Sequence, residues 1–127
     1  MKFLFVCSVW LLSLTLSGCS NGESSLEVEA TAYTSTPGET DSTPSLAAWG
    51  DTLKPGMKAI AVSRDLIAAG LTHNTKVRIE GFEGEYLVLD KMNKRWEKKI
   101  DIYMGKDRKK ALQWGKRKVM IFWEKDE

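Results

Sequence analysis

Apolar residues come in short runs along this chain, set off by turn-forming residues, and only one stretch is longer. The segments Leu26–Thr34, Lys58–Val62, Lys76–Ile79, Tyr86–Asp90, Ile100–Met104 and Lys118–Trp123 are rich in Val, Ile, Tyr and Phe. Alternating or continuous runs of this length and composition predict strands. Gly81-Phe82-Glu83-Gly84 lies between two of them and predicts a hairpin turn. Two short helices are predicted as well. Ser63 caps a single turn over Arg64–Ala69 closed by Gly70, and Asp107 caps a helix running to Trp114 with Gly115 as its stop. Ser35–Ser45, with turn signals at Pro37-Gly38 and Thr43-Pro44, is a loop. There is no internal repeat. About six short strands with one or two short helices predict a mainly β protein, a compact barrel whose closure removes exposed strand edges. The expected core is Val62, Val77, Ile79, Leu87, Leu89, Ile100, Ile102, Val119 and Ile121.

Two carboxylates interrupt this pattern. Asp90 closes one apolar run and Asp101 lies inside another, where a charge is costly to desolvate unless it is paired or functional. Between them runs the basic segment Lys91–Lys99. The simplest geometry is two strands joined by a basic loop, with both carboxylates facing one cleft. The competing explanation is that both are strand-end residues accepting backbone hydrogen bonds. Ile100 and Ile102 should face away from Asp101, while Tyr103 shares its face and helps to desolvate it.

The longest apolar stretch, Phe3–Leu16, follows Met1-Lys2 and is broken by Cys7, Ser8, Ser13 and Thr15. It is short of the roughly 20 apolar residues of a membrane span and fits an export signal. Leu16-Ser17-Gly18-Cys19 follows at once and resembles the lipobox of bacterial lipoproteins. That resemblance implies removal of residues 1–18 and acylation of Cys19, and an ordinary secretory signal is the alternative. It divides the chain into a signal over 1–18, a lipidated tether over 19–29, a barrel domain over 30–124 and a tail over 125–127. Ser20 after the cysteine implies the periplasmic side of the outer membrane in a two-membrane cell. Cys7 leaves with the signal and Cys19 carries lipid, so no disulfide forms within one chain.

Net charge is +2 but unevenly spread. From Ser20 to Asp90 there are 5 Lys/Arg against 11 Asp/Glu, and from Lys91 onward 13 against 6. In an exported protein such a basic half points away from nucleic acid and towards anionic envelope polymers, lipid headgroups or peptidoglycan carboxylates, with a solvated face as the default. His73, the only histidine, sits in a polar turn. With no clustered ligand spacing, the sequence implies neither metal nor cofactor.

From Ala30 to Trp123 the chain resembles the 3D (three-aspartate) domain family. The matching stretches are Thr31-Ala32-Tyr33-Thr34, Thr40-Asp41-Ser42-Thr43-Pro44, Ile60-Ala61-Val62, Thr75-Lys76-Val77, Val88-Leu89-Asp90, Asp101-Ile102-Tyr103 and Ala111-Leu112-Gln113-Trp114-Gly115. That family is similar to the catalytic barrel of membrane-bound lytic transglycosylase A and, more loosely, to rare lipoprotein A. The resemblance implies a double-psi β-barrel, monomeric, bound to peptidoglycan glycan strands. It implies cleavage between N-acetylmuramic acid and N-acetylglucosamine, with Asp101 as the acid and Asp90 orienting it or stabilising the oxocarbenium-like centre. Tyr33, Asp41, Trp49, Arg95 and Trp96 make up the expected substrate-binding set, the two tryptophans as platforms for sugar faces. The family pattern also differs here. Ala47 stands where a threonine precedes the Ala-x-Gly turn, Ser63 stands where the third aspartate is usual, and Met92-Asn93 replaces a diglycine. Asp41 and Asp65 are the candidates to supply the missing acid. Three functions follow: a lipid-anchored lytic transglycosylase, a catalytically silent glycan-binding module, or an envelope lipoprotein acting through protein contacts.

Overall fold

The computed structural model describes residues 22–35 and 47–124. Cys19, Asp41 and the signal segment lie outside the described residues. Six strands form a closed barrel: β1 (Glu23–Tyr33), β2 (Ala59–Val62), β3 (Lys76–Ile79), β4 (Tyr86–Lys91), β5 (Lys99–Tyr103) and β6 (Arg117–Glu124). The order around the barrel is β1-β5-β2-β4-β3-β6, closing from β6 back to β1. The β1–β5 and β2–β4 pairs are parallel and the other four antiparallel. Two short helices, α1 (Arg64–Ala68) and α2 (Arg108–Trp114), complete the fold. No helix among the described residues is long and apolar enough to cross a membrane.

Alternation along the strands sorts the side chains. Val28 and Ala30 of β1, Val77 and Ile79 of β3, Ile100 and Ile102 of β5, and Val119, Ile121 and Trp123 of β6 fill the interior with Ile60, Val62 and Val88. Leu66 of α1 and Leu71 close the same core. Gly70 has φ +114, and a Cβ there would lie 3.3 Å from Trp123 Nε1, so the turn after α1 needs glycine on both counts.

A second cluster lies on the outer face of the sheet. Ala47, Leu53, Ala59, Leu89 and Tyr103 are buried there, with Tyr33, Met57 and Leu87 packed against them. Leu87 and Leu89, expected in the barrel core, therefore belong to this outer cluster, and Val88 between them points inward. The run Tyr86-Leu87-Val88-Leu89 is apolar on both faces because both faces of the sheet are covered at this point. A bulge reinforces the shift: Ile60 pairs with Val88 but Ala61 with Asp90, leaving Leu89 as the extra residue.

Strands β4 and β5 follow one another in the chain but are not neighbours in the barrel, because β2 lies between them. Two further expectations are corrected. β1 starts at Glu23 and pairs with β6 from Glu23–Glu124 to Ala30–Arg117, so residues 23–29 belong to the barrel and not to a tether. Ser63 sits at the N-terminus of α1 without a side-chain cap bond; its hydroxyl accepts from Lys99 N at 3.0 Å. The other helix forms as expected, with Asp107 accepting from Lys110 N at 2.9 Å and Gly115 ending the helix. Trp114 then anchors α2 through an Nε1 hydrogen bond to Ala30 O at 3.0 Å.

Ile102 is 1% exposed in the centre of the barrel. Ile102→Ala is expected to cost on the order of 2–5 kcal/mol in urea unfolding, as a buried large-to-small change does. A cost below about 0.5 kcal/mol, ordinary for a surface position, would contradict the placement of β5.

Candidate active site

The strand register builds a row across the outer face. Thr31 pairs with Asp101, Asp101 with Ala61, and Ala61 with Asp90, so four residues from β1, β5, β2 and β4 stand side by side. Adjacent strands are about 4.8 Å apart, which places the two aspartate Cα atoms roughly 10 Å apart with only a methyl group between them. Both sequence-predicted acids are thus brought to one face, but across an intervening strand and not as a pair of adjacent strand ends.

The two carboxylates are held differently. Asp90 Oδ1 accepts from Ala48 N at 2.8 Å and from its neighbour Lys91 N at 2.9 Å, which fixes its orientation. Asp101 is largely buried and accepts from Thr31 Oγ1 at 3.0 Å. Burial pushes its carboxyl up from the ordinary 3.8 to about 6, with Asp90 adding to the rise, against the opposing pull of the Thr31 hydrogen bond and the Lys99 charge. Asp101 therefore holds a proton in mildly acid solution where a solvated aspartate has lost it. The backbone hydrogen-bond explanation suits Asp90, whereas Asp101 has the environment of an acid.

On one side of the row lies the outer apolar cluster. Tyr33 and Tyr103 meet there with ring centroids 5.5 Å apart. Ala47 is buried in the same cluster and its carbonyl accepts from Gly50 N at 3.0 Å. On the other side the face turns polar. Lys99 Nζ lies 3.5 Å from Glu29 Oε1 and 3.7 Å from the centroid of the Trp96 ring. Arg95 also sits over Trp96, at 4.9 Å, so two cations crowd that ring. Ser63 is fully buried and bridges to Lys99 through its hydroxyl and its N–H.

The loop carrying Ala48 is tied down at several points. Trp49 stacks on His73 at 4.9 Å and 23°, with Lys91 Nζ 5.6 Å from its centroid. His73 Nε2 lies 2.6 Å from Asp51 Oδ2. Ala47 N donates to Asp51 O at 2.8 Å, and Leu53 is buried in the outer cluster. His73 is thus a clamp for the loop that orients Asp90. Asp65, one candidate for the missing acid, accepts from Lys98 N at 2.9 Å, where Lys98 takes a left-handed φ of 48. It pins the turn before β5. The other candidate, Asp41, lies outside the described residues.

Of the predicted set, then, Asp90, Asp101 and Tyr33 gather on one face, Arg95 and Trp96 flank its Lys99 end, and Trp49 adjoins Asp90 through Ala48. Sequence reasoning did not assign Thr31, Ala61 or Lys99 to the site. Their roles come from pairing across strands far apart in the chain, for which the sequence carries no local signal. Among the described residues no three His, Cys, Asp or Glu side chains are grouped to hold a metal. No protein-family model matches the chain, and no curated protein sequence matches it.

The raised Asp101 has a stability consequence. Between about pH 4 and about 6 the folded state keeps a proton that the unfolded chain has released. This group is neutral for stability below that window and increasingly destabilising as the pH rises through it. Asp101→Asn removes the ionisation, so it is expected to stabilise the protein at pH 8 by on the order of 2–3 kcal/mol, with the gain vanishing near pH 4. A variant no more stable than wild type at pH 8 would show that Asp101 is not desolvated.

Proposed function

We propose that this protein is a peptidoglycan-acting lipoprotein whose double-psi β-barrel cleaves the bond between N-acetylmuramic acid and N-acetylglucosamine, as lytic transglycosylases do. The observation that carries the reading is a desolvated carboxylic acid, Asp101, facing a backbone-anchored carboxylate, Asp90, across the small side chain of Ala61. Protonated Asp101 gives its proton to the glycosidic oxygen as the bond to the anomeric carbon breaks and its electron pair leaves with that oxygen. The 6-hydroxyl of the same sugar attacks the anomeric carbon and surrenders its proton to the Asp101 carboxylate, restoring the acid and closing a 1,6-anhydro ring. Asp90 supplies negative charge to the oxocarbenium-like centre. Arg95, Lys99 and Lys91 give the face the positive charge that suits peptide-stem carboxylates.

A second reading is a catalytically silent glycan-binding module. It is favoured by Ser63 and Ala47, both committed to packing at positions where the family carries functional side chains. The two part on product analysis. Purified protein incubated with peptidoglycan is expected to release anhydro-muropeptides identifiable by mass. Asp101→Asn should lower that release by roughly 10²–10⁴-fold while leaving glycan binding intact. Release should decline as the pH rises through about 6, where Asp101 loses its proton. Ordinary reducing ends in place of anhydro ends would indicate water as the nucleophile, the two-carboxylate hydrolysis. Glycan binding with no product at any pH would establish the silent module.

Anchoring is tested separately. Cys19→Ser is expected to move the protein from the membrane fraction to the soluble one, or to stall it as the unprocessed precursor. Unchanged fractionation and mass would remove the lipoprotein half of the proposal.

A further inference from the structure

The end of the barrel that carries α2 has a groove apart from the aspartate row. One cavity of about 380 Å³ lies among Pro55, Met57, Tyr86 and Met104, with the buried Ile102 behind them. A second, of about 430 Å³, lies between the β3–β4 hairpin and α2, with Trp114 and Arg117 in its wall. Phe82, Met104 and Lys110 line both, so the two adjoin as one groove. Each is of a size that holds a ligand group. The aromatic rings are fixed before anything binds. Phe82 meets Tyr86 edge-on at 5.7 Å and Trp114 at 5.2 Å, and Trp114 is tied to Ala30 O. All three rings are half-buried against the core.

The groove is positively charged, and nothing within it balances the charge. Lys58, Lys106, Lys110 and Arg117 line it, and none of them is in an ion pair among the described residues. Lys58 Nζ donates to Glu83 O at 2.9 Å and Arg117 Nε to Trp114 O at 3.0 Å, so backbone carbonyls hold both and neither charge is cancelled. Elsewhere Arg78, Lys99 and Lys116 meet carboxylates. Of the two acids in the lining, Asp107 is engaged in capping α2 and Glu83 stands exposed. Aromatic rings, methionines and an arginine around an apolar floor are the composition of the centre of a protein–protein interface. Cations without partners around it select an acidic partner. The location argues against a bilayer. Trp114 joins α2 to β1 at Ala30, roughly 23 Å along the strand from Glu23. Only Ser20–Gly22 separate Cys19 from β1, a reach of at most roughly 14 Å. A barrel held by lipid at Cys19 therefore turns this end away from its own membrane.

We propose that this groove docks an acidic segment of a partner protein. A large apolar side chain of that segment seats against Phe82 and Met104. Its flanking carboxylates meet Lys110 at the centre, Lys58 and Lys106 on one side and Arg117 on the other. Rings already held in place lose little freedom on binding, so the apolar anchor supplies most of the affinity. The exposed cations supply selectivity and speed of association. The proposal is independent of the glycan-cleaving reading, because none of these cations belongs to the aspartate row.

The test uses the full chain and a fluorescent pool of short peptides, Asp or Glu at every position except a central Leu, Phe or Trp. Anisotropy is expected to show binding with a Kd below about 100 µM. Affinity should be at least about tenfold weaker when the centre is Gly, or when Lys replaces the acids. The double charge reversal Lys106→Glu with Lys110→Glu should also weaken binding by roughly tenfold. Lys109→Glu with Lys118→Glu makes the same change of charge outside the groove and should weaken it by less than about threefold. All four positions are exposed, so both variants should melt close to wild type. A wild type that binds no peptide overturns the proposal. Equal losses in the two variants would mean diffuse attraction, and full affinity for the Gly-centred pool would remove the apolar anchor; either result overturns it. Sedimentation with phosphatidylglycerol vesicles, lost on reversing Lys106 and Lys110 and unaccompanied by peptide binding, would assign the surface to a membrane instead. Anhydro-muropeptide release is measured separately and should be unchanged in both variants, so failure here leaves the cleavage reading standing.

Discussion

Burial of β2 on both faces is the constraint on which the rest of the structure depends. Ala59, Ile60, Ala61 and Val62 are all buried. The inner pair, Ile60 and Val62, is large and fills the barrel, while the outer pair is alanine. Small outward side chains let the loop through Ala47 and Leu53 and the rings of Tyr33 and Tyr103 pack over the strand as a roof. Without that roof Asp101 would be an ordinary solvated aspartate. Because β2 also separates β4 from β5, the two aspartates are spaced by two strands and not one. Like charges on adjacent strands, directly opposite one another, would repel strongly in so dry a setting. Across Ala61 the repulsion is weaker, and it still adds to the rise of the Asp101 carboxyl.

The polar groups of the site depend on one another in sequence. The Asp51–His73 contact and the Trp49–His73 stack hold the loop that presents Ala48 N to Asp90. The Ser63 hydroxyl and N–H hold the start of β5, where Lys99 begins, and Lys99 sets the charge felt by Asp101. Ser63 therefore does structural work at the position where the family resemblance expects an acid. An aspartate there would face the same Lys99 N–H but bring a charge into a fully buried position.

The basic half of the chain divides into two populations. Lys99 is buried against Trp96 and Glu29, and Lys91 and Arg95 lie over tryptophan rings beside the site. Arg108, Lys109 and Lys110 of α2 and Lys116, Arg117 and Lys118 beyond it are exposed. Arg117 covers the Trp114 ring at 4.2 Å and caps the end of α2 through Trp114 O. Cations therefore lie over the rings of both Trp49 and Trp96.

Much of the fold was legible in the sequence, because its determinants are local. Period-two alternation marked β3 and β6, Gly81–Gly84 marked the β3–β4 hairpin, and Asp107 and Gly115 bounded α2, each within a few residues of chain. The sequence also singled out Asp90 and Asp101, since a carboxylate within an apolar run is conspicuous wherever it folds. What it could not reveal was depth and neighbourhood. Leu89 and Val88 look alike in a continuous apolar run, and only the covered outer face and the bulge at Ile60–Ala61 decide which of them points inward. The insertion of β2 between β4 and β5 and the pairing of Thr31 with Asp101 across 70 positions of chain are both long-range facts. Local propensity carries no information about them, because strand order and register are set by how the whole barrel closes.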